Sequence, residues 1–469
     1  MAEKSKLFKL GLGLLIFLVV ATIFERFNIF LPILGFSLKL SLLILPLAAL
    51  LLLFSRKLLF NPTFLFPALF GLGLSQLLSV FFSFDRGQSL QVLAFTILMM
   101  ALFYLLVWIS IARAGAGKGG LAVLTPFIWA WGGGALLVSL LGIGQFWLHF
   151  KGVDPALTFD SWFNSARTLP VGTFTENLFG ILNFRTIWEL GTSELLRPSS
   201  TFIDVNTGAS FVGIFLLLGS GWWLSSLKDL KEKFNWDRAL ALGGLALIIL
   251  ISLGYFLLTI SRSAALGLGV GAAVFLFFLL RGRLGTRFVG LLLAILVISA
   301  AWFGFNLSYG RRTSSSLERV EYAQAAWGMF KENPLTGVGV GNFEPYCLKV
   351  LRTDLPACYS HSIFLTWLGE LGILGIIANL VLITVVFYFS SKLINTISRD
   401  STDYLRVSGL LSAFTALVFS NIFHAHYGLD FTWVLLGLLV SCYYLTKRSL
   451  LGRISDLGIL GVRVDNVTM

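Results

Sequence analysis

Three cationic side chains stand at the ends of long apolar runs. Arg197 in "LLRPSSTFIDVNTGA" precedes one run, with Asp204 and Asn206 close behind it. Arg262 in "LLTISRSAALG" lies between two runs joined by almost nothing, and His361 in "CYSHSIFLTWLGELGILG" opens another. An arginine at the edge of a hydrocarbon layer is costly unless it snorkels, pairs or meets a ligand. Two guanidiniums can grip and neutralise a diphosphate through forked hydrogen bonds that lysine does not reproduce. A histidine titrating near neutrality can take the proton of an attacking hydroxyl. The chemistry these types could share is group transfer from a lipid-linked diphosphate, with the energy carried by the donor and no ATP. Plainer readings stay open: each arginine can snorkel to headgroups, and His361 can be an interfacial residue at a helix start. Nothing in the sequence brings the three together in space.

The elements that must position them are membrane helices. Hydrophobic residues make up 57% of the 469 residues and charged residues 12%, with mean hydropathy +0.87, values foreign to a soluble domain of this length. A hydrocarbon core about 30 Å thick needs roughly 20 apolar residues per helix, and the chain offers about twelve such runs. They are 8–24, 36–55, 62–83, 89–112, 120–148, 206–226, 239–258, 263–280, 288–306, 361–390, 407–422 and 430–446. Their continuous apolarity excludes the alternating strands of a membrane β-barrel. The expected fold is an all-α polytopic membrane protein. Lys4, Lys6 and Lys9 precede the first run as in a cleaved signal, but no small-x-small site follows "VVATIFERF", so it is read as a retained helix.

Charge orients the helices. With both termini in the cytoplasm, the inside segments hold Lys4, Lys6, Lys9, Arg56, Lys57, Arg113, Lys118, Lys228, Lys231, Lys233, Arg238, Arg281, Arg283, Arg287, Lys392, Arg399, Arg406, Lys447, Arg448, Arg453 and Arg463. The short outside turns hold only Arg26, Arg86 and Arg262. That asymmetry follows the positive-inside rule and accounts for the net charge of +12. The basic balance is therefore a topology and lipid-surface signal, not one for nucleic acid. The expected organisation is helices one to five in 1–148, a long outer loop in 149–205, helices six to nine in 206–306, a second outer loop in 307–360, helices ten to twelve in 361–446 and a cytoplasmic tail in 447–469.

The second outer loop holds most of the polar pattern. In "LERVEYAQAAWGMFKENPLTG", Leu317, Val320, Ala323, Trp327 and Phe330 recur at helical spacing. This predicts an amphipathic helix lying on the membrane surface, over a cavity or packed on the bundle, and ending before Pro334. "TGVGVGNFEPY" places Gly337, Gly339 and Gly341 without the strand and βαβ context of a dinucleotide site, so it reads as a tight turn whose N–H groups can receive an anion. Cys347 and Cys358 can pair in an oxidising compartment and would brace the chain just before His361; Cys442 lies in the last apolar run. "HAHYGLD" offers His424, His426 and Asp430 as a zinc candidate, but no further cluster supports it and no Asp-x-Asp pair occurs, so no metal is expected. Glu370 follows His361 by nine residues, a rotation of about 900° that puts it on the opposite side of a helix. It reads as a buried carboxyl bonded to neighbouring helices or protonated.

Taken in order, "RPSSTFIDVNTGA", "TISRSAALG", "RVEYAQAAWGMFKENPLTGVGVGNF" and "HSIFLTWLGELGILG" resemble the O-antigen ligase family of bacterial inner-membrane proteins, which includes enzymes that polymerise O-antigen or glycosylate pilin. The resemblance covers roughly residues 195–390, and the first helices match only in being hydrophobic. It implies a GT-C-like membrane glycosyltransferase of about twelve helices with a large helical periplasmic loop and its active site on the periplasmic face. Such an enzyme moves glycan from undecaprenyl diphosphate to a hydroxyl of lipid A-core by a metal-independent, inverting displacement without a cofactor. By the match, Arg197 and Arg262 would hold the diphosphate and His361 would be the general base. Arg319 matches a recurrent basic position at the start of the loop helix; with Asn206 and Asp204 it would bind substrate or support the loop. The implied partners are the undecaprenyl diphosphate-linked donor, the lipid A-core acceptor and membrane lipids. A polymerase that extends a lipid-linked chain shares these motifs, and a transporter of lipid-linked sugars is the competing class. The transporter would place polar groups near the midplane and leave repeated halves, and no repeat is visible.

Overall fold

The computed structural model describes residues 2–23, 28–31, 36–54, 63–114, 120–150, 187–190, 193–196, 200–202, 204–232, 234–259, 261–281, 290, 313–351, 358–424 and 430–456. Its helices are α1 (Ala2–Ala21), α2 (Leu40–Phe54), α3 (Phe66–Phe81), α4 (Arg86–Ala114), α5 (Thr125–Phe150), α6 (Val205–Glu232), α7 (Trp236–Thr259), α8 (Arg262–Leu280), α9 (Thr313–Glu332), α10 (Ile363–Thr396), α11 (Thr402–Phe423) and α12 (Asp430–Asp456). Two short antiparallel hairpins interrupt an otherwise all-α architecture: β1 (Asn28–Leu31) with β2 (Phe36–Lys39), and β3 (Ile187–Leu190) with β4 (Ser193–Leu196). The apolar run expected from residue 36 therefore begins as a strand and becomes helical at Leu40. Among the described residues, seven helices are long and apolar enough to cross a membrane. The run expected at 288–306 lies, apart from Gly290, outside the described residues. Large apolar side chains such as Phe70, Phe81, Leu250 and Leu257 are exposed on the bundle, as a lipid solvent requires. The chain is thus a polytopic helical membrane protein.

Lipid tails are as apolar as leucine, so helices in a bilayer associate by close packing and hydrogen bonds. Helices α6, α8 and α11 do this with small residues. A Cβ added to Gly267 would stand 2.5 Å from the Ala416 carbonyl oxygen, and one at Gly271 would stand 2.7 Å from that of Ser412. Across the same contact the hydroxyls of Ser210 and Ser420 are hydrogen-bonded at 2.8 Å. This packing brings the start of α6, the start of α8 and the end of α11 to one end of the bundle. The other end carries basic residues: Arg406 pairs with Asp403 (3.0 Å) and Asp229 (3.5 Å), and Arg281 donates to Asn395 (3.2 Å).

Helix α10 is broken at Gly372, whose backbone (φ +60°, ψ −157°) lies outside the helical region. A break leaves amide and carbonyl groups without helical partners, and the segment after α9 satisfies them. Ile373 N–H donates to the Pro334 carbonyl (2.9 Å) and Leu374 N–H to that of Leu335 (3.3 Å). In the other direction, Val338 N–H donates to the Gly369 carbonyl (2.9 Å) and Gly339 N–H to that of Glu370 (3.0 Å). The same glycine turn docks on the α3–α4 connection, where Asn342 Nδ2 donates to Ser83 (2.8 Å) and Ser89 (2.7 Å).

The loop helix α9 forms as its pattern predicts, but a different face packs. Tyr322, Ala325, Ala326 and Met329 are buried with Val338, Phe343, Tyr346, Cys347 and Cys358. Val320 and Trp327 of the expected stripe are 54% and 51% exposed, with Trp327 stacked on Phe330. The physical reason is size: small side chains let α9 approach α10, where Met329 Sδ would lie 2.8 Å from a Cβ at Gly369. Cys347 and Cys358 are joined by a disulfide, with their Cα atoms 6.2 Å apart.

Candidate functional site

The packed helix ends assemble the site from its caps outward. Asp204 caps α6, its Oδ2 accepting the N–H of Asn206 (2.8 Å) and of Thr207 (3.2 Å), which satisfies free amides and complements the helix dipole. The same oxygen lies 3.1 Å from Nε2 of His424, the first residue beyond α11. Asn206 Oδ1 accepts a hydrogen bond from Ser261 Oγ at 2.7 Å. Ser261 in turn caps α8, accepting from Ala264 N–H at 3.3 Å, so Arg262 sits in the first turn of a helix tied to Asn206. Ahead of Asp204, Thr201 Oγ1 donates to the Ile23 carbonyl (2.6 Å) and Ser200 N–H to Gln145 Oε1 (2.9 Å).

Arg319 of α9 meets this assembly from the loop side. Burial weakens its hold on its proton, and the positive charge of Arg262 adds to the effect. Among the described residues, no carboxylate pairs with either guanidinium. Two guanidiniums close enough to repel each other concentrate positive charge at this end of the bundle.

His361 closes the arrangement. Its backbone is in the left-handed region at φ +48°, unusual for a residue with a Cβ. Its ring lies 5.7 Å from that of Tyr322 and 6.1 Å from that of His424, centroid to centroid. Its proton affinity is pushed down to about 4, first by burial, then by His424 and Arg319, against the opposing pull of Asp204. The imidazole is therefore neutral at physiological pH. Directly below, Ile363, Phe364 and Trp367 of α10 line an apolar cleft with Leu72, Leu417, Asn421 and Trp433; its volume is about 730 Å³ including the open mouth.

Of the residues singled out in the sequence, Asp204, Asn206, Arg262, Arg319 and His361 come together here. Arg197 and His426 lie outside the described residues. Glu370 lies within α10, whereas His361 precedes that helix in a left-handed turn, so an ideal helical rotation does not relate the two. The Glu370 carboxyl accepts Gly341 N–H (2.8 Å) and Phe343 N–H (3.0 Å), so the N–H groups after the glycine turn are used within the protein. Sequence reasoning missed His424, which it weighed only as a metal ligand. The signal was available: like His361, it is a histidine at the junction of an apolar run with the outer face.

The site is thus one end of a helical membrane bundle, where Arg262 and Arg319 lie within reach of each other's charge and the neutral imidazole of His361 stands beside them. The sequence profile of the O-Antigen ligase family matches residues 245–380, the stretch that carries Ser261, Arg262, Arg319, His361 and Glu370, so this part of the chain is similar to that family. The Teichuronic acid biosynthesis protein TuaE of Bacillus subtilis (strain 168) is 25% identical over 304 residues. The match covers 58% of this chain and 59% of that protein, so the chain spans about three-fifths of its relative's length.

Proposed function

We propose that the protein transfers glycan from an undecaprenyl diphosphate-linked donor to a sugar hydroxyl at the periplasmic face of the bacterial inner membrane. The observation that carries this reading is the pair Arg262 and Arg319, unmatched by any described carboxylate, beside the neutral imidazole of His361. Arg262, with Arg197 and Arg319, binds the donor diphosphate. His361 takes the acceptor O–H proton on a ring nitrogen as the oxygen bonds to the sugar C1. The C1–O bond to the diphosphate breaks, its electron pair leaves with the phosphate oxygen, and the configuration at C1 inverts. Arriving diphosphate brings negative charge near Arg319 and raises the affinity of His361 for the proton it must accept. The apolar cleft under the site supports a substrate whose polar head stays at the interface while its chain lies in the bilayer.

The acceptor we favour is a hydroxyl of lipid A-core, which makes the protein an O-antigen ligase. Extension of a lipid-linked polymer is the second reading, favoured by a relative named for teichuronic acid biosynthesis. The test uses purified protein, undecaprenyl diphosphate-linked O-antigen and EDTA, with and without lipid A-core, comparing wild type, His361→Ala and Arg262→Ala. Glycan on lipid A-core supports the ligase, and longer lipid-linked chains without it support the polymerase. A folded wild type that does neither overturns both, and full activity in His361→Ala removes the proposed base.

A further inference from the structure

His424 has no part in the chemistry above, yet it is built into the same site. Its Nε2 lies 3.1 Å from Asp204 Oδ2, and its ring is tilted by 38° to that of His361, with the centroids 6.1 Å apart. Each partner of the pair stands where a helix favours its charge: Asp204 at the N-terminus of α6, His424 at the C-terminus of α11. The contact joins two helices whose packing already relies on small residues, and the Ser210–Ser420 hydrogen bond fixes their register one turn below. His424 is thus a ring whose position relative to His361 is set by two helix ends. We propose that His424, clamped by Asp204, is a positioning residue for His361: it gives the imidazole a fixed wall on the α11 side.

This inference rests on the reading of His361 as the base. The groups that face His361 are Asp204 before α6, Arg319 and Tyr322 on α9, and His424 after α11. His424 and Arg319 both oppose a proton on His361, while Asp204 favours one. With His424 in place, His361 stays unprotonated until the acceptor hydroxyl delivers its proton. Without it, the ring loses both its wall and part of the field that keeps it neutral.

The variant to make is His424→Gln, which retains an N–H donor for Asp204 and carries no charge. Diethyl pyrocarbonate acylates the neutral imidazole only, so modification of His361 against pH, read by peptide mass spectrometry on folded protein, follows its protonation directly. The acid limb of that curve is expected to move to higher pH by about half a unit or more in His424→Gln. His424→Lys, which supplies a cation, is expected to move it back. With undecaprenyl diphosphate-linked glycan as donor, kcat should fall about tenfold while KM for the donor stays within about twofold. A modification curve identical in wild type and His424→Gln, or an unchanged kcat, overturns the proposal. A shifted curve in a protein that transfers no glycan leaves the His424–His361 coupling standing and overturns the functional reading it serves.

Discussion

The carboxyl group of Glu370 accepts the backbone N–H of Gly341 at 2.8 Å, closing a latch between a broken membrane helix and the turn that leads from the loop helix. A second bond, from Phe343 N–H at 3.0 Å, uses the other oxygen, and the side chain is only 6% exposed. The latch sets the loop that carries Tyr322 and Arg319 over His361.

Replacing Glu370 tests the latch. Glu370→Ala leaves two buried amides without their acceptor and should cost about 2–5 kcal/mol, whereas Glu370→Gln keeps one carbonyl oxygen and should cost about 1–2 kcal/mol. Thermal unfolding in detergent, followed by tryptophan fluorescence, should rank wild type above Gln above Ala. Equal midpoints for the two variants would mean that the hydrogen bonds contribute little.

The break in α10 depends on glycine for two reasons at once. Gly372 has φ +60°, and a Cβ there would stand 2.6 Å from the backbone carbon of Leu335. Gly372→Ala should therefore sharply reduce the yield of monodisperse protein. Gly244→Ala on α7, where an added Cβ meets nothing within 4 Å, is the control and should match wild type. Size-exclusion chromatography of both variants decides the matter.

The pH response follows from the low proton affinity of His361. The group is needed neutral, its folded value is about 4 and its ordinary value is 6.5. For the free enzyme, kcat/KM should therefore stay level as pH falls through 6.5 and decline only toward about 4. Stability moves the same way: below 6.5 the unfolded chain binds the proton that the folded chain refuses, so this contribution is present above 6.5 and lost as pH falls toward 4. A kcat/KM acid limb centred near 6.5 would contradict the buried, cation-flanked environment of the ring.

The Cys347–Cys358 bridge ties down the segment that ends three residues before His361. Under denaturing, non-reducing conditions one thiol per chain, Cys442, should react with maleimide, rising to three after reduction. The double substitution Cys347→Ser with Cys358→Ser should lower stability by about 2–4 kcal/mol. Two or more reactive thiols before reduction would show that the bridge is absent from the purified protein.

Helix type, the position of most membrane spans and the end of the bundle that carries basic residues were legible in the sequence, because burial of apolar length and exclusion of charge act within one segment. Asp204, Asn206, Arg262 and His361 were legible as candidates because each is a polar side chain at the end of an apolar run, and Arg319 through the resemblance of the loop helix. Their meeting was not legible. The Asp204–His424 contact joins residues far apart in the chain, and it exists because Gly267, Gly271, Ser210 and Ser420 let α6, α8 and α11 close on one another. Which face of α9 docks was open for a related reason, since helical spacing defines two apolar faces and only the small residues facing α10 decide which one packs. The same holds for Glu370, whose burial followed from its place in an apolar run, while its partners on the glycine turn followed from the break at Gly372. Local pattern determined the elements and their chemistry; close packing between distant segments decided which side chains share a site.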